Sequence, residues 1–328
     1  MTGITVRDVA READVSLATV SRVLNGVTTV DPVLAERVRS TVTRLGYVPN
    51  SIGRSLRLQQ TNSWAVVVNT INPFIAALVM AVEDAAQAEG TSVSLGITGF
   101  DPERERSYVE AAVSQRVSGL LVASSSRSDH FVNVPMPVVF VDMPDPHGHD
   151  SVTIDNYEAG RLAADHLADQ GFQHPGMIDE GVPGQPVAER ARGFRERLAE
   201  RGISLAEQFV RHTDLSLSAS RDAAADLLTQ PSAPDVLYCV NGPSTQGAYF
   251  GLQAVPNRDV ALLGTDDEVW TSLATPTVTV VSQPVTEIGQ IAAQLIRDRT
   301  ANPSAPPRHV VLHPHLIPRE STRTPPHP

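Results

Sequence analysis

Between residues 5 and 46 the apolar positions recur at helical rather than strand spacing. Val6, Val9, Ala10 and Ala13 fall at i, i+3, i+4 and i+7, one face of a short helix that Thr5 can cap. Asp8, three residues past that cap, suits the positive end of the helix dipole. Asp14 and Val15 read as a tight turn, and Ser16 as the cap of a second helix whose Val20, Val23 and Leu24 share a buried face. Gly26 ends it. Asp31-Pro32 opens a third helix, because proline at the first helical position gives up no needed donor. Leu34, Val38, Val42 and Leu45 are its inward positions and Gly46 is its stop.

After QQTNS the pattern changes to short apolar runs alternating with helical stretches. Strands are expected at 64–68, 92–97, 119–124, 138–143, 151–155, 176–179, 236–240, 260–264, 278–283 and, as one final strand, 309–317. Helices are expected from 72 to about 89, and at 102–115, 156–169, 188–201, 218–229, 244–253 and 285–299. Repeated βα alternation predicts α/β architecture with parallel sheets covered by helices on both faces. The run is too long for one sheet and divides better into two lobes. No repeat of solenoid length appears.

Composition adds a division of labour. All 26 basic residues are arginine, against 37 acids and a net charge of −11. Residues 1–60 nevertheless hold eight arginines and five acids, whereas 61–328 hold 18 and 32. A basic head on an acidic body predicts that only the head meets a polyanion. The single cysteine, Cys239, excludes an internal disulfide framework and suits a reducing compartment. The first residues lack the apolar core of a signal peptide and no 18-residue apolar run follows, so a cytoplasmic protein with no membrane partner is expected.

The stretch VSLATVSRVLNG (15–26) carries the head's chemistry. Leu17, Ala18, Ser21, Arg22 and Asn25 lie on the second helix's outer face, opposite its buried valines. Helix, short turn and arginine-bearing helix make a helix-turn-helix. Ser16, Thr19 and Ser21 can donate to phosphate oxygens, and Arg22 can reach N7 and O6 of a guanine in the major groove. Periodicity alone leaves open a plain three-helix bundle with a solvated face.

The strings ITVRDVAREADVSLATVSRVLNG and RLGYVPNSIGRSLR resemble the head of the lactose-repressor (LacI/GalR) family of bacterial transcription regulators. The resemblance implies base-reading roles for Leu17, Ala18 and Arg22, and backbone contacts or bracing by Thr5, Ser16, Thr19, Ser21, Asn25 and Tyr47. In PNSIGRSLR, Asn50 or Ser51 can cap a helix too short to persist alone. The family orders this hinge when two copies pair on DNA. Leu56 then corresponds to a leucine wedged into the minor groove, with Arg54 and Arg57 beside phosphates. Without the resemblance, Leu56 reads as an ordinary core contact.

The resemblance continues through NPFIAALVMAVEDAAQAEG, IDNYEAGRLAADHLADQGF, LLGTDD and TVVSQPVTEIGQIAAQLI. It implies a body like the periplasmic sugar-binding proteins, dimeric, with two lobes and three crossovers. The expected organisation is a helix-turn-helix domain at 1–48, a hinge at 49–61 and an effector-binding domain at 62–328. The first lobe would hold about 62–157 and 285–302, and the second about 158–284 and 303–328.

Ligands of open α/β sheets sit beyond the carboxyl ends of strands, which singles out Asp142, Asn241 and Asp266. The family's positions agree and add Phe74, Arg190 and Gln283. Carboxylates, amides and a guanidinium can each bond neighbouring hydroxyls while an aromatic ring covers a sugar's apolar face. Strand-end capping remains open for the two aspartates, and a core role for Phe74. Gly242 stands where many relatives have an acid, and Thr265 where many have an aromatic; Trp270 is a candidate replacement ring or an interface residue.

His313-Pro-His315 lacks a third metal ligand, GPSTQG misses the nucleophile-elbow spacing, and no Gly-rich phosphate loop follows a strand. No catalytic residue, metal or cofactor is expected. The expected function is a dimeric repressor of a near-palindromic double-stranded operator, controlled by a small effector, with a carbohydrate favoured. A nucleoside or other metabolite acting as corepressor, or a partner protein in its place, is an alternative. A cytoplasmic solute-binding protein and an enzyme on the same scaffold are the rivals from other classes. Gly53 stands where relatives commonly have alanine, a difference of about 1 kcal/mol in helix propensity. Gly53→Ala is therefore expected to tighten operator binding in a duplex titration; unchanged affinity would contradict a hinge helix at this position.

Overall fold

The computed structural model describes residues 4–24, 27, 29–47, 61–124, 129–143, 148–181, 186–255 and 259–323. The chain divides into two units, Met1–Thr61 and Asn62–Pro328. Asn25, and the hinge positions Asn50, Gly53, Arg54, Leu56 and Arg57, lie outside the described residues.

The first unit contains helices α1 (Val6–Glu12), α2 (Leu17–Leu24) and α3 (Pro32–Leu45). Thr5 and Asp8 cap α1 reciprocally: the Asp8 N–H donates to Thr5 Oγ1 while the Thr5 N–H donates to Asp8 Oδ2 at 2.9 Å. Asp31 accepts from the Val33 and Leu34 N–H groups to start α3, and Gly46 ends it in the left-handed region at φ 62°. Val9, Ala10, Ala13, Val20, Val23, Ala35 and Val38 form the core. The buried face of α3 runs through Ala35, Val38 and Thr41, with Val42 and Leu45 packed beside it. Leu34, expected inward, lies at the edge of that face and is only partly covered.

The second unit is built on two six-stranded sheets. The first takes β1 (Ser63–Val68), β2 (Ser92–Ile97), β3 (Gly119–Ala123), β4 (Val138–Val141), β5 (Asp150–Ile154) and β11 (His309–Leu312). Their order is β11-β5-β4-β3-β1-β2, all parallel. The second takes β6 (Pro175–Asp179), β7 (Val210–His212), β8 (Val236–Cys239), β9 (Ala261–Thr265), β10 (Thr279–Ser282) and β12 (His315–Ile317). Their order is β12-β10-β9-β8-β6-β7, parallel except for β12 against β10.

The expected final strand 309–317 is therefore two strands in two sheets. β11 pairs with β5 in the first sheet, not the second, and the chain crosses at His313-Pro314 before β12 begins. Pro314 has no N–H with which to continue a ladder, so the pairing stops there. The lobe content changes accordingly: residues 309–312 belong with the first sheet rather than with 303–328 in the second. β7 and the helix Val269–Leu273 were not anticipated; at three and five residues they are too short to show a period.

Helix Val285–Ala301 leaves the second sheet and packs against helix Pro73–Gln87 of the first lobe. Helices Asn156–Asp169 and Pro186–Glu200 cross in close contact at two glycines. A Cβ on Gly160 would lie 2.0 Å from the Arg190 carbonyl oxygen, and one on Gly193 would lie 2.0 Å from that of Tyr157. Among the described residues, no helix is long and apolar enough to cross a membrane.

One buried ion pair closes the first lobe. Asp150, with its side chain wholly buried, receives Arg299 Nε at 2.9 Å and Nη2 at 3.0 Å, and the Arg308 N–H at 2.8 Å. The guanidinium also donates to the carbonyls of Ala305 and Pro306, tying the end of the long helix to the approach to β11. Removing the guanidinium leaves a buried carboxylate without its counter-charge. Arg299→Met is expected to lower stability by about 3–5 kcal/mol, measured by urea unfolding followed through tryptophan fluorescence.

Candidate functional site

Two surfaces gather the chemistry, one in each unit. On the head, Ser16 accepts the Thr19 N–H at 3.0 Å and shares a hydroxyl bond with Thr19 Oγ1 at 2.9 Å, fixing the start of α2. Leu17, Ala18 and Arg22 then stand exposed on the face opposite Val20 and Val23, with Ser21 beside them partly covered. Thr5 is engaged in its capping box, and the Tyr47 ring packs on the head's core.

The head's arginines divide by what holds them. Arg11 pairs with Asp8 at 2.5 Å, Arg44 with Glu12 at 3.0 Å and Arg39 with Glu36 at 3.6 Å, while Arg37 donates to the Asp14 carbonyl. The side chains of Arg22 and Arg7 have no hydrogen bond or ion pair among the described residues. Sequence reading missed Arg7. Its position two residues past the α1 cap, beside the helix dipole's positive end, was the available signal.

In the second unit, the carboxyl ends of both sheets converge on a cleft of about 750 Å³. Phe74, Asp142, Arg190, Asn241, Asp266 and Gln283 all line it. Asp142 follows β4 and Asp266 follows β9, in matching backbone geometry. Both adopt the left-handed region, at φ 57° and 70°, which a short polar side chain tolerates better than most. Each N–H donates at 3.0 Å to the neighbouring strand, Asp142 to the Val152 carbonyl and Asp266 to that of Val281.

Arg190 is 2% exposed and braced from two directions. Its Nε donates to Asn156 Oδ1 at 2.7 Å and its Nη1 to the Val240 carbonyl at 2.9 Å. Asp266 accepts Gln283 Nε2 at 2.7 Å and the Gly242 N–H at 3.2 Å. Asn241 caps helix Gly242–Ala254 by accepting the Ser244 N–H at 2.9 Å, so its oxygen is engaged and its Nδ2 is the group left for a ligand. Asp142 Oδ1 and Gln283 Oε1 are buried and accept no hydrogen bond.

Burial raises the Asp142 carboxyl to about 6; Arg190 opposes the shift and Asp266 adds to it. Asp266 is also raised by burial, against the pull of Arg190 and its own hydrogen bonds. At the mouth, burial and neighbouring Asp179 raise Glu180, whereas bonds from Ser216 hold Asp214 below the ordinary carboxylate range.

Trp270 does not line the cleft. Its indole N–H donates to Glu268 at 2.8 Å and its ring lies 5.4 Å from that of Tyr249. Thr265 is buried, donating to the Cys239 carbonyl at 2.8 Å. Gly242 is explained by Glu268, whose Oε1 would lie 2.4 Å from a Cβ there. Asn69, Ser124, Glu180 and Phe100 line the cleft and were missed. The first three directly follow β1, β3 and β6, so the strand-end rule that found Asp142 reaches them as well. Among the described residues no group of His, Cys, Asp and Glu can hold a metal ion.

Two family models match this chain: bacterial regulatory proteins of the lacI family over residues 5–50, and the periplasmic binding protein-like domain over 164–322. The ribose operon repressor of Escherichia coli (strain K12) is 30% identical over 328 residues, covering 97% of this chain and 99% of the relative. A solved structure of the transcriptional regulator CelR–cellobiose complex is 30% identical, covers 97% of this chain and 99% of its own, and superposes with a TM-score of 0.71. The lac repressor dimer bound to operator and the anti-inducer ONPF shares the fold at a TM-score of 0.86, with 23% identity over 98% of this chain and 100% of its own. Because the 30% identity to the ribose operon repressor runs the length of both units rather than stopping at either, the chain belongs to the lacI family of bacterial regulatory proteins.

Proposed function

We propose that this protein is a cytoplasmic, non-enzymatic transcriptional repressor that binds a near-palindromic operator as a homodimer and responds to a small polyhydroxylated effector. The carrying observation is Arg22. It is the exposed arginine of α2, with no partner among the described residues, on a helix whose opposite face is locked into the core. An arginine so placed presents its paired donors to a guanine edge, while Ser16, Thr19 and Ser21 lie where phosphate contacts set the register. Names borne by similar proteins point the same way: a ribose operon repressor, a cellobiose complex and a repressor dimer on its operator.

A homodimer needs a self-complementary surface. Edge strand β2 exposes Leu95 and Ile97, and Met80 on the adjacent helix is 67% exposed. Apolar side chains on a sheet edge suit a second copy of the chain.

The effector's leverage comes from where its contacts are rooted. The chain passes between lobes before helix Asn156–Asp169, after β10, and at His313-Pro314. Asn156, which holds Arg190, lies at the first passage, and Gln283, which holds Asp266, lies at the second. A ligand bonded to Arg190 and Gln283 therefore acts on two of the three connections. Differential affinity for the open and closed lobes becomes a change in operator affinity, with the reciprocal change in effector affinity.

Arg22→Ala is expected to weaken operator binding by roughly 1–3 kcal/mol and to relax base preference at one position, read from titrations against single-base operator variants. Loss of affinity that is uniform across all variants would contradict base reading. For Asp142, the folded state favours the protonated carboxyl, so its stabilising contribution is complete below about 4 and lost as pH rises through about 6. Asp142→Asn should accordingly leave the melting temperature of the ligand-free protein almost unchanged near pH 4 and raise it by a few degrees near pH 7.

A further inference from the structure

The cleft's charges do not balance. Among the described lining residues, Asp142, Glu180, Asp214 and Asp266 supply four carboxylates and Arg190 the one guanidinium. Two edges of that guanidinium are already engaged by Asn156 and Val240. We propose that the effector carries a protonated amine, so that the site selects an amino sugar or aminopolyol over its neutral counterpart. This rests on the reading of the cleft as a site for a polyhydroxylated effector.

Two buried acceptors of the cleft are left without partners. Gln283 is 7% exposed and lines the cleft, yet its Oε1 accepts nothing; Asp142 Oδ1 is likewise buried and bare. A ligand must bring donors to both, and an ammonium offers three on one atom. Phe74 and Phe100 also line the cleft, and an aromatic face favours a cation and gives nothing to an anion. Burial raises Asp142 and Asp266 despite the pull of Arg190, and burial with neighbouring Asp179 raises Glu180, so the one guanidinium does not offset the desolvation of these carboxylates. Asp214, held ionised by the Ser216 N–H at 2.9 Å, keeps the mouth negative. Closing the lobes over a neutral ligand leaves that negative charge desolvated, and closing them over an ammonium removes most of it.

The test is isothermal titration of the full-length protein near pH 7.5 with matched pairs: glucose and glucosamine, galactose and galactosamine, mannose and mannosamine, sorbitol and glucamine. The N-acetyl form of each amino sugar serves as a neutral control of similar shape. At least one amine is expected to bind roughly tenfold more tightly than its neutral partner and its N-acetyl form. Glu180→Gln and Asp214→Asn should shrink that preference, read as the ratio of amine to neutral affinity in each variant. Equal or tighter binding of the neutral member overturns the proposal but leaves the polyhydroxylated effector standing. A preference unaltered in both variants overturns the assignment of the amine to these carboxylates. Failure of every compound to bind overturns the carbohydrate reading and the proposal together.

Discussion

The sensing unit depends on one buried guanidinium held among carboxylates that come from different lobes. Arg190 lies on helix Pro186–Glu200 and is attracted to Asp142 at the end of a first-lobe strand and to Asp266 at the end of a second-lobe strand. A desolvated charge of this kind is tolerable only when it is paired and hydrogen-bonded, and Asn156 and the Val240 carbonyl each take one of its bonds. Its position follows from the close helix crossing at Gly160 and Gly193, where no side chain fits between the backbones. Glycine at two buried helical positions, each costing helix propensity, is thus connected to the placement of the cleft's one described cation.

The two lobes present their carboxylates by the same device. Asp142 and Asp266 each leave a strand through a left-handed residue whose N–H remains bonded to the next strand. The turn ends the ladder and places a carboxylate in the cleft lining, where the sheets face each other. The oxygens left bare after these scaffold bonds, on Asp142 and Gln283, give the cleft its demand for hydrogen-bond donors.

In the head, charge is sorted rather than accumulated. Of the described arginines, Arg44 and Arg37 tie α3 to α1 and to the turn, Arg11 and Arg39 pair within their own helices, and two have no such role. The net positive count of the first sixty residues therefore overstates the charge available to a polyanion. Arg22 is distinguished by its helical phase: four positions along from Ala18 and opposite Val20 and Val23, it cannot turn inward.

Local pattern determined most of the elements of this protein by itself, because caps, apolar periods and strand runs act over a few residues. Thr5 with Asp8, Asp31 with Pro32, and the alternating strands and helices from 63 onward are of this kind, and so is the outward phase of Arg22. The strand-end rule likewise reached Asp142, Asn241 and Asp266 without knowledge of any partner. Only the tertiary structure decided which sheet each late strand joins, that Asn241's oxygen is bound up in a cap, and that Glu268 occupies the space beside Gly242. Those outcomes rest on contacts between residues far apart in the chain, where pairing, volume and charge are settled by what else arrives at the same place.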